Sequence, residues 1–244
     1  MKFGVQLYNF RHALAEDFRG AMKEIAKIGF DGVEFAGNIP MEAGELAAFL
    51  KELRTECCGT MLSGEKLKNP FDPVWEYAEK LDPPTVSISF HGDFAAKWQE
   101  ILSLCLIIRE NAEKKGILFS YHNHIKEFTP VEGIPAMYRI LDAPGAEKIL
   151  VEPDVCWLHR AGIEPAFYIR KYAKRIQQIH LKDIYIDPDP EKSCFPPLGK
   201  GIVDIESAFA AAKGTTCRWL IYEQDNSMDP FKDAAESLAF VKKL

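Results

Sequence analysis

Three observations predict an α/β fold, a (β/α)8 TIM barrel, for this chain of 244 residues. Short apolar or β-branched runs alternate with amphipathic helical stretches eight times. The strand starts recur roughly every 25 to 40 residues, the spacing needed for a helix to cross over and join parallel strands. Ionisable residues gather just after the strands, while the turns leading into them are mostly ordinary. In a barrel the strand ends share one face, and that face carries the active site. No shift in composition marks a boundary, so residues 1–244 are expected to form a single domain.

The strands are predicted at residues 3–8, 32–35, 57–62, 85–90, 117–121, 148–152, 175–181 and 218–223. Gly59 weakens the third, because glycine has no side chain to pack in a strand. The first helix, 16–28, places Phe18, Met22 and Ile25 on one face and meets Gly29 at its end. The second spans 41–53. The third opens at Asn69-Pro70, runs through Trp75, Ala78 and Leu81, and is broken by Asp82-Pro83-Pro84. A long helix follows over 94–115, with Lys114 and Lys115 suited to its negative end. Shorter helices are expected at 132–141, from Glu164-Pro165 through Tyr172, at 205–213 with Asp204 as N-cap, and from Asp229-Pro230 to Val241. Residues 183–203 read as a long loop with four prolines and Gly199-Lys200-Gly201. An open doubly wound sheet is the alternative, but Tyr8-Asn9-Phe10-Arg11 is nothing like a glycine-rich dinucleotide turn.

Composition narrows the function. The hydrophobic fraction of 47% suits a globular core, and the net charge of −6 argues against a nucleic-acid or anionic-membrane partner. The start of the chain does not look like a signal peptide, and no apolar run approaches the roughly 20 residues that span a bilayer. Six cysteines without a Cys-x-x-Cys pair read as reduced, mostly buried residues. The expectation is a cytoplasmic enzyme.

The stretch Tyr121-His122-Asn123-His124, with Glu127 after it, follows the fifth strand. Asp154, His180 and Glu223 end or follow the next three. Such strand ends are expected to converge on one divalent metal ion; carboxylates mixed with imidazoles suit Mn, Zn, Co or Mg. Each residue also has a structural reading: His180 as a bonded core histidine, Asp154 as a helix cap, Lys182 as a solvated lysine, Glu34 as a partner for a cation. Glu223 is hardest to explain that way, since an unpaired buried carboxylate is costly. Trp157 and Phe10 could wall a sugar pocket or simply pack the rim. The Gly199–Gly201 stretch is a turn or a lid segment, and not a phosphate loop, because no Gly-Lys-Ser/Thr is present.

Several motifs in order carry a resemblance. They are Gly29-Phe30-Asp31-Gly32-Val33-Glu34, Tyr121-His122-Asn123-His124 with Glu127-Phe128, and Glu152-Pro153-Asp154 with Trp157. His180-Leu181-Lys182-Asp183, Leu198-Gly199-Lys200-Gly201 and Trp219 through Asp225 follow. The chain resembles the sugar phosphate isomerase/epimerase superfamily, the xylose isomerase-like TIM barrels, in the subgroup with Tyr-His-Asn-His. The likeness is dense over residues 116–226. It implies a divalent-metal-dependent sugar isomerase or epimerase acting on a ketose or keto-sugar through an enediolate. Dehydration or hydration of a keto-sugar or inosose on the same site is the alternative. An endonuclease IV-like phosphodiesterase and a non-catalytic barrel stand further back.

The resemblance implies metal ligands of the type Glu, Asp, His, Glu on successive late strands. Asp154, His180 and Glu223 correspond, and His122 stands where relatives carry the first glutamate. Glu127 is the favoured fourth ligand, with His122 or His124 filling either the ligand or the acid/base role, beside Lys182 and Glu34 as further catalytic residues. Trp157, Asp183 and Phe10 are expected to contact substrate. The partner is a small sugar, with a homodimer or homotetramer expected by analogy.

Overall fold

A computed structural model describes residues 1–187 and 193–244. Its eight barrel strands are β1 (Lys2–Gln6), β2 (Gly32–Ala36), β3 (Glu56–Met61), β4 (Val86–Ile88), β5 (Phe119–His122), β6 (Leu150–Glu152), β7 (Gln178–Leu181) and β8 (Trp219–Tyr222). All pair in parallel, in the order β6-β5-β4-β3-β2-β1-β8-β7. Two single bridges, Val151 to Ile176 and Asp154 to His180, bring β6 and β7 together and nearly close the barrel. The predicted fold class is therefore observed.

The main core lies between the strands and the surrounding helices, where Met22, Leu46, Trp75, Ile108, Ile140 and Ile169 are buried. Helix ends follow local chemistry. Asp17 accepts from the Gly20 N–H at the start of Phe18–Ile28, and Gly29 closes that helix at a φ of 93°. Asp93 caps Phe94–Lys114, and Asp229 caps Pro230–Val241 with proline in its first turn. Among the described residues, no helix is long and apolar enough to cross a membrane.

The barrel interior changes character along its axis. Cys58, Trp219 and Ile221 form a small apolar cluster apart from the main core. Gln6, Glu34, Thr85, Ser120, Glu152 and Gln178 form a second, polar group, all at most 1% exposed. Hydrogen bonds tie it together: Thr85 Oγ1 donates to Gln178 Oε1 at 2.9 Å, and Ser120 lies 2.9 Å from the same hydroxyl.

Gly59 explains how this group fits. It pairs with Glu34 across a register shift between β2 and β3. A Cβ there would lie 2.0 Å from Glu34 Oε1 and 2.5 Å from Gln178 Nε2. The residue that weakens the third strand as a sequence feature therefore makes room for two buried side chains.

Boundaries differ from the sequence expectations where loops take over. β1 gives way at Leu7 to a 3-10 turn through Phe10, and β4 is only three residues long. The stretch 132–141 begins as a hairpin, Pro130–Val131 against Ile134–Pro135, and becomes helical at Ala136. The helix after Asn69-Pro70 starts at Trp75. Short helices at Gly64–Leu67 and Val155–Arg160 are not foreshadowed by periodicity, since so few residues carry little of it. Residues 188–192 of the long loop lie outside the described residues. Five cysteines are buried and Cys194 is exposed.

Candidate metal centre

The ends of β5 to β8 deliver the chemistry. His122 is the last residue of β5, and Asp154 follows β6 by two positions. His180 sits within β7, and Glu223 directly follows β8. One ligand atom from each of His122, Asp154, His180 and Glu223 lies within 4.8 Å of the others, and all four residues are buried. The near closure of the barrel contributes directly, because the Asp154–His180 bridge sets two of these side chains side by side.

Asp154 has two tasks. Its Oδ1 accepts from the Trp157 N–H at 2.9 Å, capping Val155–Arg160. Its Oδ2 is buried without a hydrogen-bond partner, as is Nδ1 of His122. Two orphaned buried acceptors facing an imidazole and a carboxylate are costly alone and suit a cation between them. The buried cluster could therefore bind a metal.

Glu223 accepts on both oxygens. Its Oε2 contacts His180 Nδ1, and its Oε1 takes a hydrogen bond from Lys182 Nζ at 3.1 Å. Lys182 is fully buried, pairs with Asp225 at 2.6 Å, and lies over the Trp157 and Phe195 rings. Its amine is a fixed internal charge.

Electrostatics mark a cluster short of positive charge. Burial pushes the Asp154 pKa up to about 7, with the Glu223 charge adding to it and Lys182 opposing. Burial would also raise Glu223, but Lys182 and His180 hold it well below the usual carboxylate range. Burial, with His180 and His124 nearby, pushes His122 well down, which leaves a neutral ring with a free lone pair. Burial opposes a charged Lys182, yet Glu223, Asp154 and Asp225 raise its pKa. Burial would lower His124, but the nearby Glu127 carboxylate raises it.

The fourth position differs from the sequence expectation. Glu127 is fully buried in the 3-10 turn Lys126–Phe128 and lies outside the converging set. Its Oε1 accepts from Tyr121 at 3.3 Å and lies 3.9 Å from His124 Nδ1. The turn after β5 carries the carboxylate to Tyr121 and His124 instead of to the centre. His122 completes the group.

Other expected contacts are also redistributed. Glu34 is fully buried, with its Oε2 2.6 Å from His180 Nε2. Phe10 is 1% exposed, packs on Phe231 at 5.0 Å between ring centroids, and is not among the residues lining the cleft over the centre. Asp183 spends both oxygens on the backbone N–H groups of Ile184, Gly199, Gly201 and Val203. It shapes the Gly199–Gly201 turn, where a Cβ on Gly201 would come within 2.2 Å of it. Lys200 points away to pair with Glu236.

A cleft of about 1870 Å³ opens over the centre. Gln6, Tyr8, His122, His124, Trp157, Glu223 and Asp225 line its part at the strand ends. His91 also lines it, with its ring 5.0 Å from that of His124. Gln178 and Thr85 support the site without standing out in the sequence. Their signal is a polar side chain inside an apolar strand, which reads equally well as an outward-facing position.

Residues 22–244 match a family model described as xylose isomerase-like TIM barrel. Over a 267-residue alignment the chain is 24% identical to inosose dehydratase 2 of Bacillus cereus, covering 93% of this chain and 89% of that protein. Among solved structures it is similar to a sugar phosphate isomerase/epimerase from Parabacteroides distasonis ATCC 8503, with a TM-score of 0.78 and 17% identity, covering 99% of this chain and 93% of the other. It is also similar to a xylose isomerase-like TIM barrel protein from Mycobacterium smegmatis in complex with magnesium. There the TM-score is 0.76 at 14% identity, over 99% of this chain and 95% of that one.

Proposed function

The chain belongs to the xylose isomerase-like TIM barrel family, and from that premise we propose that it is a divalent-metal-dependent enzyme that dehydrates a keto-sugar or inosose. The observation that carries this is the mixed character of the centre. A carboxylate, Glu223, faces the cleft from β8, while imidazoles, His122 and His124, face it from the end of β5. Abstraction of a proton beside a carbonyl needs a base, and departure of a hydroxyl one carbon further needs an acid. A carboxylate opposite an imidazole suits that division of labour, whereas epimerisation is best served by two matched bases. The inosose dehydratase relative supports the same outcome.

His122, Asp154, His180 and Glu223 would hold the ion. The magnesium complex of the structural neighbour supports an ion in this fold. The chemistry such an ion supplies is Lewis-acid polarisation of the substrate carbonyl, which eases loss of the neighbouring proton. Lys182 keeps Glu223 charged and oriented as the base. His124, with the Glu127 carboxylate 3.9 Å from its Nδ1, is the acid for the leaving hydroxyl. Trp157 offers a flat apolar wall for a sugar face beside it. Isomerisation or 3-epimerisation through the same enediolate is the second reading, supported by the isomerase/epimerase neighbour.

The test is incubation with Mn²⁺ and a panel of keto-sugars and inososes in deuterated water. Metal-dependent C–H exchange and loss of water, followed by NMR and mass spectrometry, are expected. Exchange without water loss selects the second reading, and no exchange with any divalent ion refutes both.

A pH dependence follows from Asp154. The folded chain holds its proton up to about pH 7, whereas an unfolded chain releases it near pH 4. This group's contribution to the ion-free fold is therefore most favourable below about pH 4 and is lost as pH rises towards 7. Ion binding needs the Asp154 carboxylate and a neutral His180, whose pKa Glu34 and Glu152 raise against the effect of burial, so Mn²⁺ affinity is expected to rise by about tenfold per pH unit or more up to and through pH 7. Calorimetric titrations at several pH values check this; a flat profile from about pH 5.5 to 7.5 would contradict it.

A further inference from the structure

A second convergence of ligand atoms, from Glu34, Glu152 and His180, lies beneath the first, and all three residues are fully buried. His180 belongs to both sets. Its Nδ1 contacts Glu223, while its Nε2 lies 2.6 Å from Glu34 Oε2 and 2.9 Å from Glu152 Oε1. The lower set is not arranged for an ion. The Gln178 amide donates to Glu34 and Glu152 at 2.7 Å each, and the Gln6 amide donates to Glu34 at 2.7 Å. Donors aimed at both carboxylates supply what a cation would, and they would repel one placed among them.

We propose that Glu34, Glu152 and Gln178 are positioning residues that lock the His180 ring with Nδ1 turned up towards the upper set, and thereby set the affinity of that site for its ion. The proposal rests on the metal-binding part of the function proposed above. The physical reason is that an imidazole can rotate or present either nitrogen unless its second nitrogen is engaged. A carboxylate on that nitrogen orients the ring and raises the basicity of the other one. Two carboxylates compete for one Nε2–H, and Gln178 holds both in place from the side. Thr85 in turn holds Gln178. The space for this arrangement exists because position 59 carries no Cβ.

Two variants test it without touching a ligand of the upper set. Glu152→Gln keeps the shape and removes the charge. Gly59→Ala removes no ionisable group but pushes a methyl into Glu34 and Gln178, displacing them. Mn²⁺ affinity, the melting temperature of the ion-free protein and the visible spectrum of the Co²⁺-loaded protein are measured for each. Both variants are expected to bind Mn²⁺ about 10–100-fold more weakly and to shift the Co²⁺ bands. Glu152→Gln is also expected to lower the ion-free melting temperature, since it removes one partner of a buried ion pair; the Co²⁺ bands make the distinction, because a purely structural role would leave the spectrum of the loaded protein alone. Affinity within about threefold of the parent and an unchanged spectrum in both variants would overturn the proposal. A parent protein that binds no Mn²⁺ overturns the metal reading itself, and this inference with it.

Discussion

Glu223→Gln is expected to lower turnover at saturating Mn²⁺ by roughly three orders of magnitude, within the range lost when a positioned base is removed. The carboxylate has one oxygen on Lys182 and the other beside His180 Nδ1. An amide of the same shape cannot accept the substrate proton. It also presents an NH₂ group to either the lysine ammonium or the ion. The fold should survive, because Lys182 keeps Asp225 at 2.6 Å and is not left unpaired. Steady-state kinetics beside a circular-dichroism melt checks both halves. A variant within about tenfold of the parent in kcat would move the base elsewhere, with His124 the next candidate.

The second large effect is an ordering. His122→Asn is expected to weaken Mn²⁺ binding by on the order of 100-fold or more, since losing even an outer partner of a ligand costs about 10–100-fold. Glu127→Gln should change affinity only a few-fold and act mainly on turnover, through His124. His122 stands in the converging set with a free Nδ1, and burial keeps its ring neutral. Glu127 accepts from Tyr121 through Oε1, which lies 3.9 Å from His124, and its carboxylate is outside the converging set. Titration of both variants with Mn²⁺ decides the matter, and the reverse order would make Glu127 the ligand. Residue type favours Glu127, because carboxylates are the commoner partners of hard divalent ions, while strand position points to His122. The structure favours His122 because its side chain, and not that of Glu127, joins the converging set.

The contrast between these residues shows what was legible. Asp154, His180 and Glu223 could be read from position, because each ends or follows a strand whose apolar run is plain in the sequence. A parallel barrel then carries all strand ends to one face. Lys182 was legible for the same reason, two residues past His180, although its partners proved to be Glu223 and Asp225 and not Glu34.

The sequence by itself therefore determined the barrel, its eight strands and the rim on which ionisable groups collect, since these follow from periodicity and turn chemistry that neighbouring residues decide. The tertiary structure alone decided which groups meet. Glu34 and Glu152 went beneath His180, Phe10 went under Phe231, Asp183 went to its own loop, and Glu127 left the centre to His122. Those outcomes depend on strand register, on the missing Cβ of Gly59 and on the path of the chain after β5. Each is set by contacts between segments tens of residues apart, and no local pattern encodes them.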